Sequence, residues 1–137
     1  MLIIGDDNCK VRYHLTGFPG SSHDNRVWKW SRVYRERSTY FSPLQYLIMD
    51  TAVEPCECVV PCIKKESGRI SNVDIIFNQI IAKPRVRSEH LNGILKSRFP
   101  GIMRKIRKII TDDKVATREI LECIDCAVIL HNILIQL

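Results

Sequence analysis

Two carboxylates stand where acidic side chains can do chemistry. Asp50 follows directly on the apolar run Tyr46-Leu47-Ile48-Met49. A buried strand looks like this when it delivers a carboxylate at its C-terminal end. Glu89 is the only acid in a stretch whose basic residues are Lys83, Arg85, Arg87, Lys96, Arg98, Arg104, Lys105, Arg107 and Lys108. On a helix, Gly93 and Lys96 share a face with Glu89, four and seven residues further on. A carboxylate to hold metal, a small residue allowing close approach and a lysine to meet phosphate form a row suited to DNA. Phosphodiester cleavage by two metal ions needs carboxylates converging from separate elements, because hard divalent cations demand oxygen ligands. The same spacing also fits a solvated helix face, and a strand-end Asp with a helical Glu is common in α/β proteins.

The elements that would position these groups can be read along the chain. Leu2 to Asp7 and Cys9 to Thr16 read as two short strands joined by a tight Asp-Asn turn. The breaker-rich Gly17 to Ser22 ends in serines that can N-cap a helix from His23 to about Arg35, with Asp24 in its first turn. Val27, Trp30 and Tyr34 give that helix an apolar stripe, and Trp28 and Trp30 fall on opposite sides. Tyr46 to Met49 forms a strand, and Cys58 to Ile63 a further short one. A helix is expected from Asn72 to Lys83, with Phe77, Ile80 and Ile81 as core candidates. Pro84 interrupts or kinks it, and a second helical stretch carries Arg85 to Phe99 before Pro100-Gly101. The last helix, from about Thr111, is apolar almost all round between Ala127 and Leu137, which predicts burial on most sides. The order is an α/β pattern in a single domain, residues 1–137.

Composition narrows the class. Hydrophobic residues make up 45% and charged residues 26% of the 137, which is ordinary for a globular chain. No apolar run approaches the roughly 18 to 20 residues that span a bilayer, so no membrane association is expected. The start lacks the pattern of a signal peptide, which predicts an intracellular protein. The six cysteines are then expected to be reduced, with Cys123 and Cys126 as buried thiols. Cys56, Cys58 and Cys62, or Cys123 and Cys126 with His131, are weaker candidates for zinc, since neither set has the usual structural-zinc setting. The net charge of +6, gathered between Lys83 and Lys108, is the footprint of a polyanion binder.

Four blocks, in order, resemble one family. Gly17-Phe18-Pro19-Gly20-Ser21-Ser22-His23-Asp24-Asn25-Arg26-Val27-Trp28 is similar to the "G-x-P-G-S-x-H-D-x-x-V" signature of PIF/Harbinger-type DNA transposases. Tyr46 to Ala52 resembles the segment around that family's second catalytic aspartate, which falls on Asp50. Phe77-Asn78, Arg85 to His90 and Gly93 to Phe99 resemble its "F-N…R-x-x-x-E-x-x-x-G-x-L-K-x-R-F" block, whose glutamate falls on Glu89. Leu130-His131-Asn132 matches its closing "L-H-N".

The resemblance implies a ribonuclease-H-like core with a central mixed sheet flanked by helices. It implies DNA as substrate, a DNA-binding partner protein, and location in the nucleus. It also implies an Asp-Asp-Glu triad holding two Mg²⁺ or Mn²⁺ ions, to which Asp50 and Glu89 belong. Arg85, Arg87, Lys96 and Arg98 would hold the DNA backbone. The family's first aspartate sits in an "I-D-G-T" segment upstream of the opening hairpin, so an incomplete core lacking the first strand, and impaired catalysis, are expected. Val53 departs from the aromatic residue that relatives often carry there. Asp6, Asp7 and Asp24 remain candidates for the missing ligand; Asp24 with His23 either assists a metal or serves the helix N-terminus alone. The alternative is a non-catalytic remnant that binds DNA or protein.

Overall fold

The computed structural model describes residues 1–64, 70–102 and 114–137. In chain order the elements are β1 (Leu2–Gly5), β2 (Val11–Leu15), α1 (Asp24–Trp30), α2 (Arg32–Arg35), α3 (Arg37–Tyr40), β3 (Leu47–Met49), β4 (Val59–Pro61), α4 (Asn72–Arg98) and α5 (Lys114–Leu134). Arg104, Lys105, Arg107, Lys108 and the expected helix start near Thr111 lie outside the described residues. The chain divides into two compact units, Met1–Leu2 with Phe18–Val86, and Ile3–Gly17 with Arg87–Leu137. Among the described residues the strands form two separate pairs, β1-β2 and β3-β4, where one central sheet was expected.

In the first unit, the single helix expected from His23 to Arg35 is three short ones. Ser31 makes the first break. It is fully buried and extended (φ −65°, ψ 146°), its N–H donates to the Trp28 carbonyl, and its hydroxyl accepts from the Tyr34 N–H at 3.1 Å. A serine hydroxyl competes with the backbone for helix hydrogen bonds, so it ends one helix and caps the next. The break re-aims the stripe: Val27, Trp28 and Val33 are buried, while Trp30 is 58% exposed. The serines before α1 do not cap it. The Ser22 N–H donates to the Pro19 carbonyl in a turn, and His23 holds the N-cap position with no side-chain bond.

β3 and β4 run parallel, with Leu47 beside Val59, Ile48 beside Val60 and Met49 beside Pro61. Their short connection is tied down by turns in which Val53 N–H donates to Asp50 O and Val59 N–H to Cys56 O.

Pro84 lies inside α4 and does not interrupt it. An interior proline removes one donor and crowds the carbonyl four residues back, a cost of about 3 kcal/mol. Tertiary burial outweighs it here: Ile81 is buried in the first unit, and Leu91 and Leu95 in the second. Of the other core candidates, Phe77 is half-buried and Ile80 is 68% exposed.

The second unit is built on the hairpin. Cys9, Val11, Leu91, Leu95 and Val128 form its core, with Ile3, Ile94, Phe99 and Ile135 packed around them. Gly5 is glycine for a reason of space, because a Cβ there would collide with a δ-methyl of Leu91. The turn is organised by Asp6, whose carboxylate accepts from the Asn8 and Lys10 N–H groups and from Arg12 Nε at 2.8 Å. Burial pushes the Asp6 carboxyl upward, but the Lys10 N–H, the Arg12 side chain and the Asn8 N–H outweigh it and hold it below its ordinary value. A depressed carboxylate adds stability above its unfolded pKa of about 3.9, and that stability is lost as pH falls through the folded value. Acid titration of hairpin stability is therefore expected to flatten below about pH 4 in Asp6→Asn relative to the parent. Amide exchange of β1 and β2 across that range checks it.

α5 is not buried on most sides. Ile124, Ala127, Val128 and His131 form one buried stripe, while Ile129, Leu130, Ile133 and Leu134 are about half exposed. Cys123 and Cys126 are exposed, contrary to the expectation of buried thiols. The helix is amphipathic by position, although its sequence is apolar all round. Among the described residues no helix is long and apolar enough to cross a membrane.

Candidate metal and nucleic-acid site

Asp50 is the first residue after β3, at the C-terminal end of a parallel strand pair. Ligands in open α/β folds gather at such ends, where strands hand over to loops. Its side chain is 56% exposed. Oδ1 accepts from the Thr51 N–H at 2.7 Å, which fixes the carboxylate over the following turn. The same oxygen lies 3.7 Å from Arg85 Nη1, and that nitrogen also donates to Cys62 Sγ at 3.4 Å. Cys62 in turn donates its N–H to the Met49 carbonyl at 3.3 Å. Arg85, predicted to hold DNA, is thus brought to the predicted metal ligand.

The loop after Asp50 is tied to α1. Lys29 Nζ donates to Glu54 Oε2 at 2.7 Å, and the Asn25 side-chain carbonyl accepts from the Glu54 N–H at 3.3 Å. The Lys29 hydrogen bond holds the Glu54 carboxyl below its usual range. Asp24 opens α1 and is exposed, well placed for the helix dipole. Asn78 does similar work on the other side: it donates to the Ile63 carbonyl at 3.0 Å and accepts from the Ile63 N–H at 2.9 Å. These ties position the loops that flank Asp50, and spacing alone did not reveal them.

Glu89 lies in the second unit, on an exposed face of α4 with Gly93 and Lys96. Arg87 is exposed as well. Arg98 is differently engaged: its Nη1 donates to His131 Nδ1 at 3.2 Å. Since a guanidinium can only donate, Nδ1 is the acceptor, and the proton sits on Nε2, which donates to the Cys9 carbonyl at 2.8 Å. His131 is fully buried. Beside it, Asn132 accepts from the Val11 N–H and donates to the Val11 carbonyl, both at 2.9 Å. The His131-Asn132 pair therefore ties β2 to α5 by a strand-like pattern of backbone hydrogen bonds.

The donors suit a hard divalent cation in type: Asp50 and Glu89 are carboxylates open to solvent. Asp6 is committed to its own turn. Among the described residues no three His, Cys, Asp or Glu side chains stand together as a metal-binding group, which includes both zinc candidates.

A mixed α/β chain with a strand-end aspartate beside an arginine is the class this geometry defines. The chain matches the DDE superfamily endonuclease family over residues 1–132, and it belongs to that family. Membership makes it a transposase-related endonuclease domain, with DNA as the implied substrate and divalent metal ions as the cofactor its superfamily generally uses. No curated protein and no solved structure matches the chain.

Proposed function

We propose that the chain is the catalytic domain, or part of it, of a cut-and-paste DNA transposase of the PIF/Harbinger type, with a ribonuclease-H-like core. Asp50 and Glu89 serve as ligands for Mg²⁺ or Mn²⁺, with Asp24 as an accessory acid. Bound, the ions would supply activation of an attacking water or 3′-hydroxyl and stabilisation of the leaving oxygen. The observation that carries this reading is the placement of Asp50 on the first residue past a parallel strand, in a chain of this family. The protein's own groups do the rest. The Thr51 N–H holds the Asp50 carboxylate in place, and Arg87 and Lys96 present exposed cations to the phosphate backbone. Arg85 pairs with Asp50 at 3.7 Å, and in this reading it passes to phosphate when a metal ion takes its place beside the carboxylate. Arg98 holds the backbone with the guanidinium nitrogens that His131 leaves available. The reading places the protein in the nucleus.

A second reading has one observation in its favour. The Arg85 guanidinium beside Asp50 supplies a positive partner where a metal ion would otherwise sit. On that basis the domain binds DNA or a partner protein without cutting, and its DNA affinity falls steeply with salt and ignores Mg²⁺.

Nicking of supercoiled DNA by the 137-residue chain with Mn²⁺ separates the two. Catalysis predicts metal-dependent nicking that drops at least about 100-fold in Asp50→Asn and in Glu89→Gln, since losing even an outer-shell partner of a metal ligand costs about 10- to 100-fold. Salt-sensitive binding without nicking, unchanged by either substitution, establishes the binding module instead.

A further inference from the structure

Cys56 and Cys58 lie on one tight turn ahead of β4, with their sulfurs 3.6 Å apart. The turn is closed at both ends, Val59 N–H donating to Cys56 O at 3.0 Å and Cys56 N–H to Val59 O at 3.4 Å. The turn therefore holds the two sulfurs in contact, and a disulfide requires that they be drawn together to about 2.05 Å. Cys58 is buried at 4% exposure and Cys56 is partly exposed. Two thiols so placed can form a disulfide or occupy two corners of a metal site. A structural zinc takes four ligands, and no third His, Cys, Asp or Glu joins this pair among the described residues. The disulfide needs only the pair.

We propose that Cys56 and Cys58 are a redox-modification site that closes reversibly to an intramolecular disulfide with a small-molecule disulfide such as oxidised glutathione. The partly exposed Cys56, as thiolate, attacks one sulfur of the oxidant and expels the other as a thiolate, leaving a mixed disulfide. Cys58 then loses its proton, attacks the Cys56 sulfur and releases the second glutathione thiolate. Two protein thiols and one glutathione disulfide become one protein disulfide and two glutathione thiols, so atoms and electrons balance. Burial pushes the Cys58 thiol up to about 11, and the Arg37 guanidinium opposes that rise. That rise disfavours Cys58 as the first attacker and leaves it the intramolecular step, where the neighbouring sulfur is already in contact at 3.6 Å. The ring so formed is small, and strained disulfides sit at the oxidising, labile end of the range, which makes this one reversible by cellular thiols. The Cys58 carbonyl also receives the Leu47 N–H at 2.8 Å, so the modified turn is the one that registers β3 against β4 ahead of Asp50.

The test is the thiol state of the whole chain equilibrated in glutathione buffers from reduced to oxidised, acid-quenched, alkylated, proteolysed and weighed. The expected result is that the peptide carrying Cys56, Cys58 and Cys62 becomes two hydrogens lighter, with Cys62 alone alkylated, and that dithiothreitol reverses it. The change persists in Cys62→Ser and in the double variant Cys123→Ser/Cys126→Ser, and disappears in Cys56→Ser. The proposal is overturned if Cys56 and Cys58 stay alkylated across the buffers, if they stop as mixed disulfides with glutathione, or if Cys62 supplies one sulfur of the bond.

Discussion

Exchanging Trp28 for alanine is expected to lower the stability of the first unit by about 3 to 5 kcal/mol, the range for removing a buried large aromatic. Trp28 is 1% exposed and meets the Tyr34 ring edge-on, with centroids 5.6 Å apart at 70°. The Arg37 guanidinium lies over the Tyr34 ring, 5.4 Å from its centroid, so these contacts couple α1, α2 and α3. Losing the indole takes away the surface that holds the three short helices on either side of Ser31. Phenylalanine should behave quite differently. The Trp28 Nε1–H is buried and has no acceptor among the described residues. An unsatisfied buried donor costs about 1 to 3 kcal/mol, which Phe removes while losing part of the ring. Trp28→Phe is therefore expected to lie within about 1.5 kcal/mol of the parent. Amide exchange in α1 and α2, compared between the two variants, checks both figures. Equal losses in the two would mean that the indole N–H has a partner.

The second large effect is at His131. His131→Ala opens a cavity and strands the Cys9 carbonyl, and the two losses together are expected to cost about 3 to 5 kcal/mol. The residue is fully buried and uses both ring nitrogens. The Cys9 carbonyl is aimed by an unusual backbone, since Cys9 has φ +59°, which costs a non-glycine residue roughly 1 kcal/mol. The imidazole offsets that strain by donating its Nε2–H to the carbonyl so aimed. Exchange protection in β1, β2 and the end of α5 should fall together. Protection that survives in the hairpin would show that Asn132 alone suffices to hold Val11.

How much of this was legible in the residues differs between elements. Asp50 was: an apolar run ending in a lone aspartate reads as a strand delivering a carboxylate, and β3 ends at Met49. The blocks with fixed residue types were legible as a DDE transposase domain, and at that level the match over residues 1–132 agrees. What those residues do was less legible. Asn78 and Asn132 each clamp the backbone of a single residue far away in sequence, Ile63 and Val11, and nothing in local spacing marks such partners. Pro84 reads as a helix boundary because local propensity counts the missing donor but not the burial of Ile81, Leu91 and Leu95. Ser31 reads as an ordinary helix residue until its hydroxyl is seen to cap Tyr34. In α5 the apolar residues all round hide which stripe is buried, because periodicity needs polar positions for contrast.

The central claim is that Asp50 holds a divalent metal ion, and its most direct test is a thermal melt of the chain with and without Mn²⁺, alongside Asp50→Asn. At an ion concentration ten times the dissociation constant, binding adds about 1.4 kcal/mol, a rise of about 4 to 6 °C for a chain of this size. The account predicts that rise in the parent and its absence in Asp50→Asn, with the two melting alike when Mn²⁺ is withheld. A melting temperature that Mn²⁺ leaves unmoved in the parent, or moves equally in the variant, would contradict it.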